Sequence, residues 1–125
     1  MAERLSVLWV AAPSEPRPRL LEELSVYGVD ITHALTCDEA RRRLAEGKNF
    51  GLVISATHLA DGNWYSVLSG LVYQGGDAGF VVVADEVSDS FRQRVRDHGG
   101  IDAVELGAAM PSASLLSQAV QTARA

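Results

Sequence analysis

The chain has 125 residues, 47% of them hydrophobic, and a formal net charge of −5 at pH 7. That size suits a single domain over residues 1–125 with its own core, and the acidic balance excludes the basic stripe that a nucleic-acid surface needs. The lone cysteine, Cys37, cannot form an internal disulfide, no signal-peptide pattern opens the chain, and no apolar run nears the ~20 residues of a membrane span, so a cytoplasmic domain is expected.

Residues 5–11 (LSVLWVA) form a short, nearly continuous apolar run, the pattern of a strand buried on both faces. A proline-rich segment, 13–18, leads into a helix that Ser14 can cap. Leu20, Leu21, Leu24 and Val26 or Tyr27 recur at helical spacing, and Gly28 stops it. Residues 29–35 alternate apolar and polar, which suits a strand near a sheet edge. Thr36 and Glu39 fit a capping box for a second helix, with Ala40, Leu44 and Ala45 as its apolar stripe and Arg41, Arg42 and Arg43 over its solvated sides.

Residues 52–56 (LVISA) predict a third buried strand, followed by a turn at Asp61-Gly62-Asn63. Tyr65, Leu68, Leu71 and Val72 mark a third helix, ended by Gly75-Gly76. Residues 80–84 (FVVVA) predict the most strongly β segment. Ser88 caps a fourth helix in which Phe91 and Val95 share a face, and Gly99-Gly100 closes it. A weak strand follows at 103–106, then a last helix from about Ser112 to Thr122. Five strands alternating with five helices predict an α/β fold: a doubly wound, five-stranded parallel sheet with helices on both faces.

In such a sheet, ligands bind beyond the carboxyl ends of the strands. Those positions are mostly alanine and glycine: Ala11 and Ala12, Ala56, Ala84, then Gly107 and Ala108. A hard cation needs several oxygens at close range, and the first and third strand ends supply no carboxylate.

The whole chain resembles the receiver domains of two-component response regulators, with segment 50–63 (FGLVISATHLADGN) following that family's third strand and loop most closely. The resemblance implies the flavodoxin-like strand order and a role in bacterial signal transduction. Receivers hold Mg²⁺ with an acidic pair where this chain has Ala11 and Ala12, and accept a phosphoryl group on an aspartate where it has Ala56. Their hydroxyl residue falls at Ala84, their lysine at Gly107 and their switch aromatic at Val104. Nucleophile, metal ligands and cation are therefore all missing. The expected function is a degenerate receiver (pseudoreceiver) that works without phosphorylation, as a docking or dimerisation module and not as an enzyme, with no cofactor and no metal.

The resemblance implies a partner surface on the fourth helix, fifth strand and fifth helix, for a protein partner or a second copy: Phe91, Arg92, Val95, Val104, Leu115, Ala119 and Thr122. The absence of any charged residue from Met110 to Ala123 favours such a face. Two alternatives stay open: a receiver still phosphorylated at Asp61, which matches the family's loop aspartate, or a small-molecule domain using the strand-end pocket with His58. Asp85 and Glu86 read as a solvated loop. His33 and His98 are too scattered to form a metal site with Cys37. Cys37, at a helix start, is either a lowered-pKa thiol or, more simply, an inert one.

Overall fold

The protein is described by a computed structural model covering residues 6–14, 21–22, 28–46, 50–74 and 78–105. Five strands, β1 (Ser6–Val10), β2 (Asp30–Ala34), β3 (Leu52–Ala56), β4 (Gly79–Ala84) and β5 (Asp102–Glu105), form one parallel sheet in the order β2-β1-β3-β4-β5. Three helices are complete among the described residues: α1 (Cys37–Ala45), α2 (Trp64–Tyr73) and α3 (Asp89–Asp97). Leu21 and Glu22 are helical as well. None of these helices is long and apolar enough to cross a membrane.

Successive strand residues point to opposite faces, and both faces are covered. Val7, Trp9, Leu52, Ile54, Val81 and Val83 lie on one side with helical Leu21. Leu8, Val10, Val53, Phe80 and Val82 lie on the other, against α1, α2 and α3. Two-sided burial is why β1, β3 and β4 read as unbroken apolar runs. Each fully buried Val, Leu or Ile contributes roughly 1.5–3 kcal/mol, so these strands anchor the fold. β2 is an edge strand, with Asp30 and His33 exposed, and its alternating sequence reflects that.

The helix boundaries follow local chemistry. Thr36 Oγ1 accepts from the Glu39 amide at 3.0 Å, and Glu39 Oε1 accepts from the Leu35 amide at 2.7 Å. This is a capping box reaching back one residue further than the usual form. Ser88 Oγ accepts from the Phe91 amide at 3.1 Å and caps α3. At its far end Gly99 takes φ +102°, its amide bonds Arg96 O at 3.0 Å, and the Gly100 amide bonds Val95 O at 2.9 Å. That is a Schellman termination, which needs a left-handed residue and hence glycine.

Three sequence expectations change. The buried face of α2 is Trp64, Val67, Leu68 and Leu71, whereas Tyr65 and Val72 are exposed. The helix starts at Trp64, so its stripe begins one residue earlier and Tyr65 turns outward. In α1, Cys37 joins the stripe and Ala45 faces solvent. In the loop after β3, Asn63 does not turn the chain: Gly62–Asn63 pairs antiparallel with His58–Leu59, and Asn63 Oδ1 accepts from the Tyr65 amide at 3.0 Å as the cap of α2. The predicted last helix, and most of the predicted first one, lie outside the described residues.

The phase of α2 has a direct check. Leu68→Ala is expected to lower unfolding free energy by about 2–5 kcal/mol, and Val72→Ala to change it by no more than about 0.5 kcal/mol. Urea denaturation of the two variants measures both; equal losses would contradict the assigned face.

Candidate functional site

Strand order reverses at β1, because β2 lies on one side of it and β3 on the other. The crevice outside the carboxyl ends of these strands is where an open α/β sheet binds ligands. Here it is a cavity of about 300 Å³ lined by Trp9, Ala56, Thr57, His58, Val83, Ala84, Asp85 and Glu86. Parallel pairing places Ala56 opposite Val83, so β4 runs one residue beyond the end of β3. Thr57 Oγ1 donates to Val83 O at 2.8 Å and ties the two ends together. The apolar part of the lining is Trp9, Ala56, Val83 and Ala84.

The strand-end residues singled out in the sequence are only partly brought together. Ala56 and Ala84 share the cavity. Ala11 is fully buried: its amide donates to Ala34 O at 3.0 Å, and its carbonyl accepts from His33 Nε2 at 3.0 Å. Ala12 is half-buried next to it and does not line the cavity. The β1 residue that does line it is Trp9, which stacks on His33 with ring centroids 6.2 Å apart. Gly107 lies outside the described residues. Asp85 and Glu86, expected to be solvated, are exposed but stand on the cavity wall, and His58 sits beside Ala56.

The donor set does not fit Mg²⁺. The described wall carries carboxylates only at Asp85 and Glu86, adjacent residues on one side. Of the other lining residues only Thr57 has a side-chain oxygen, and its hydroxyl is engaged with Val83 O. A hard cation demands oxygens from several directions. Among the described residues, no three His, Cys, Asp or Glu side chains converge as a metal site.

Asp61 has different work. Its Oδ1 accepts from the Cys37 amide at 2.8 Å and its Oδ2 from the Asp38 amide at 3.0 Å. Both oxygens thus serve the first free amides of α1, across 24 residues of sequence. These amides, Cys37 first and Asp38 second, hold the Asp61 carboxyl below its ordinary value of 3.8. Gly62 lets the loop approach this closely, because a Cβ there would meet Ser66 Oγ at 2.8 Å and Cys37 Sγ at 3.1 Å. No local sequence signal marks this clamp, since cap and helix are far apart in the chain.

The same clamp decides the character of Cys37. Burial, and then the Asp61 carboxylate, push its thiol from 9.0 up to about 11. This agrees with the simpler of the two sequence readings, an inert thiol at a helix start: a carboxylate already occupies the amides that would favour a thiolate. Cys37 Sγ points to Asn63 O at 3.7 Å and packs in the core.

The surface expected to meet a partner also changes. Val95 and Val104 are buried in the chain's own core, 0% and 4% exposed, so neither can touch a partner. The 3.6-residue period of α3 carries Val95 inward, and period two along β5 does the same for Val104. Phe91 and Arg92 are half-buried on the flank of α3, with Phe91 edge-on to Trp64 at 5.9 Å. Leu115, Ala119 and Thr122 lie outside the described residues.

No protein-family model matches the sequence, and no curated protein is detectably similar to it. Solved structures are. The receiver domain of the Francisella response regulator 1452 superposes with a TM-score of 0.76 at 15% identity, covering 95% of this chain and 99% of that one. The beryllofluoride-activated receiver domain dimer of NtrC4 gives 0.78 at 18% identity, over 94% and 98%. The chemotaxis response regulator CheY4 of Vibrio cholerae gives 0.70 at 18%, over 97% and 99%. The fold is that of a receiver domain. Within this receiver fold, the strand that ends in Ala56 and the one that ends in Ala84 meet at a crevice whose only carboxylates among the described lining residues are Asp85 and Glu86, and the acid of the loop after β3 caps a helix.

The clamp predicts a pH signature. A carboxyl depressed in the folded state stabilises above its unfolded value and loses that contribution as pH falls through the folded one. Asp61→Ala is expected to cost about 1 kcal/mol near neutral pH, as for other lost caps. The difference from wild type should shrink as pH falls below 3.8. The same variant should also speed alkylation of Cys37, because it removes the second cause of the raised thiol. Urea titrations across pH and iodoacetamide kinetics measure the two effects. A cost that persists unchanged in acid would refute the carboxylate's role.

Proposed function

We propose that this chain is a phosphorylation-independent receiver-like (pseudoreceiver) domain, acting in bacterial, cytoplasmic signalling as a protein docking or dimerisation module and not as an enzyme. The observation that supports this most is the crevice itself. At the place where a receiver fold would handle a phosphoryl group, the wall offers Ala56, Ala84, Trp9 and Val83. Phosphoryl transfer needs an oxygen nucleophile, with metal and cationic groups to spread the developing charge. A phosphate dianion would also face Asp85 and Glu86, two carboxylates, with no Lys or Arg among the described lining residues.

Phosphorylation at Asp61 instead is disfavoured by the clamp. Both oxygens accept backbone bonds at the start of α1, and converting one to an acyl phosphate would give up a charge-assisted bond there. Control without chemistry means a shift between conformations biased by whatever binds. Phe91 and Arg92 remain available on the flank of α3, and with Leu115, Ala119 and Thr122 they make one proposed contact face for a partner or second copy.

The test is incubation with a small phosphodonor and Mg²⁺ followed by intact mass measurement. The expected result is an unmodified chain. A stoichiometric phosphoryl adduct, lost in Asp61→Asn, would overturn the reading in favour of an acceptor at Asp61.

A further inference from the structure

The strand-end crevice is open although its described lining offers no phosphoryl chemistry. Its volume of about 300 Å³ lies at the lower end of the range for small-ligand sites. It also lies where strand order reverses, the place at which open α/β sheets bind ligands.

The lining narrows the class of ligand. Asp85 and Glu86 belong to it, and no Lys or Arg does among the described residues, so an anion meets repulsion there. A hard divalent cation lacks oxygens from several directions. Apolar surface from Trp9, Ala56, Val83 and Ala84 is left beside two carboxylates. Those carboxylates are uncommitted. Both residues are exposed, and neither has a hydrogen-bond or ion-pair partner among the described residues.

The groups around them are held in place. The Val87 amide donates to Glu105 Oε2 at 3.4 Å, and Glu105 pairs with Ala84 between β5 and β4. The loop that carries Asp85 and Glu86 is thus tied to the sheet, and a third carboxylate stands beside it. The Thr57 hydroxyl is engaged with Val83 O, and the Trp9 indole is stacked on His33. A site fixed in this way loses little freedom when it is filled.

We infer that the crevice binds a small organic cation, a primary alkylammonium with a short apolar body. The ammonium faces Asp85 and Glu86, and the carbon body lies against Trp9, Ala56, Val83 and Ala84. An ammonium has three donors and can serve both carboxylates from one side, without the oxygen cage that a hard cation demands. The apolar body gains by leaving water. This goes beyond the docking-module reading, because it names a chemical input that can bias the conformations such a module presents.

The test titrates the ¹⁵N-labelled full chain with hexylammonium, neutral hexanol and anionic hexanoate. Hexylammonium should give saturable shifts at the Ala56, Thr57, Ala84, Asp85 and Glu86 amides and at the Trp9 indole N–H. It should bind roughly tenfold more tightly than hexanol, and hexanoate should give no shifts. The double variant Asp85→Asn, Glu86→Gln should lose the preference for amine over alcohol with its thermal unfolding transition retained. Absence of saturable shifts at these signals, equal binding of amine and alcohol, or an unchanged preference in the double variant would each overturn the proposal. Tighter binding of a blocked lysine tripeptide than of hexylammonium would give the crevice to a partner's side chain and overturn the small-molecule assignment. A phosphoryl adduct would sink the phosphorylation-independent reading, whereas the amine titration is read on the unphosphorylated chain, so the two failures are separable.

Discussion

β1, β3 and β4 are sealed on both faces by side chains, and that constraint governs where anything can happen in this molecule. Val7, Leu8, Val10, Leu52, Val53, Ile54, Val81 and Val82 are all fully buried. A strand closed on both sides can present chemistry only at its ends, so function in this fold is concentrated at the carboxyl edge of the sheet and on the outer faces of the helices. At the edge, the side chains at the ends of β3 and β4 are Ala56 and Ala84, and the nearby loop acid is turned toward α1.

Asp61 shows how the same loop can be kept for structure. Its two bonds to the Cys37 and Asp38 amides fasten the β3–α2 connection to the start of α1. The ribbon of His58–Leu59 with Gly62–Asn63 and the Asn63 cap hold the rest of the loop. The loop is therefore tied down at three points. The loop thereby links α1, whose first amides Asp61 caps, to α2, which Asn63 caps.

Much of the architecture was readable from the sequence, because each element announces itself locally. Unbroken apolar runs mark strands buried on both sides, alternation marks the edge strand β2, and Thr36, Ser88 and Gly99 mark helix ends. The phase of α2 was not readable that way. Its ten residues include aromatic and aliphatic side chains all round, so the true start at Trp64 could not be separated from one at Tyr65 by hydrophobicity alone. Resemblance pointed to the strand-end alanines, and the cavity contains Ala56 and Ala84 but not Ala11. The Asp61 clamp and the stacking of Trp9 on His33 join distant parts of the chain, and no spacing rule encodes them. Val95 and Val104 were placed on a partner surface by resemblance, whereas their own helical and strand periods carry both into the core.

The central claim is that the end of this sheet no longer responds to a phosphoryl group. Beryllofluoride with Mg²⁺ mimics an aspartyl phosphate where nucleophile and metal site are present, and amide NMR reads the crevice residue by residue. The account predicts ¹H–¹⁵N spectra that superimpose with and without the reagent, including the Ala56, Thr57, Asp61 and Ala84 amides. Saturable shifts confined to those amides would contradict it.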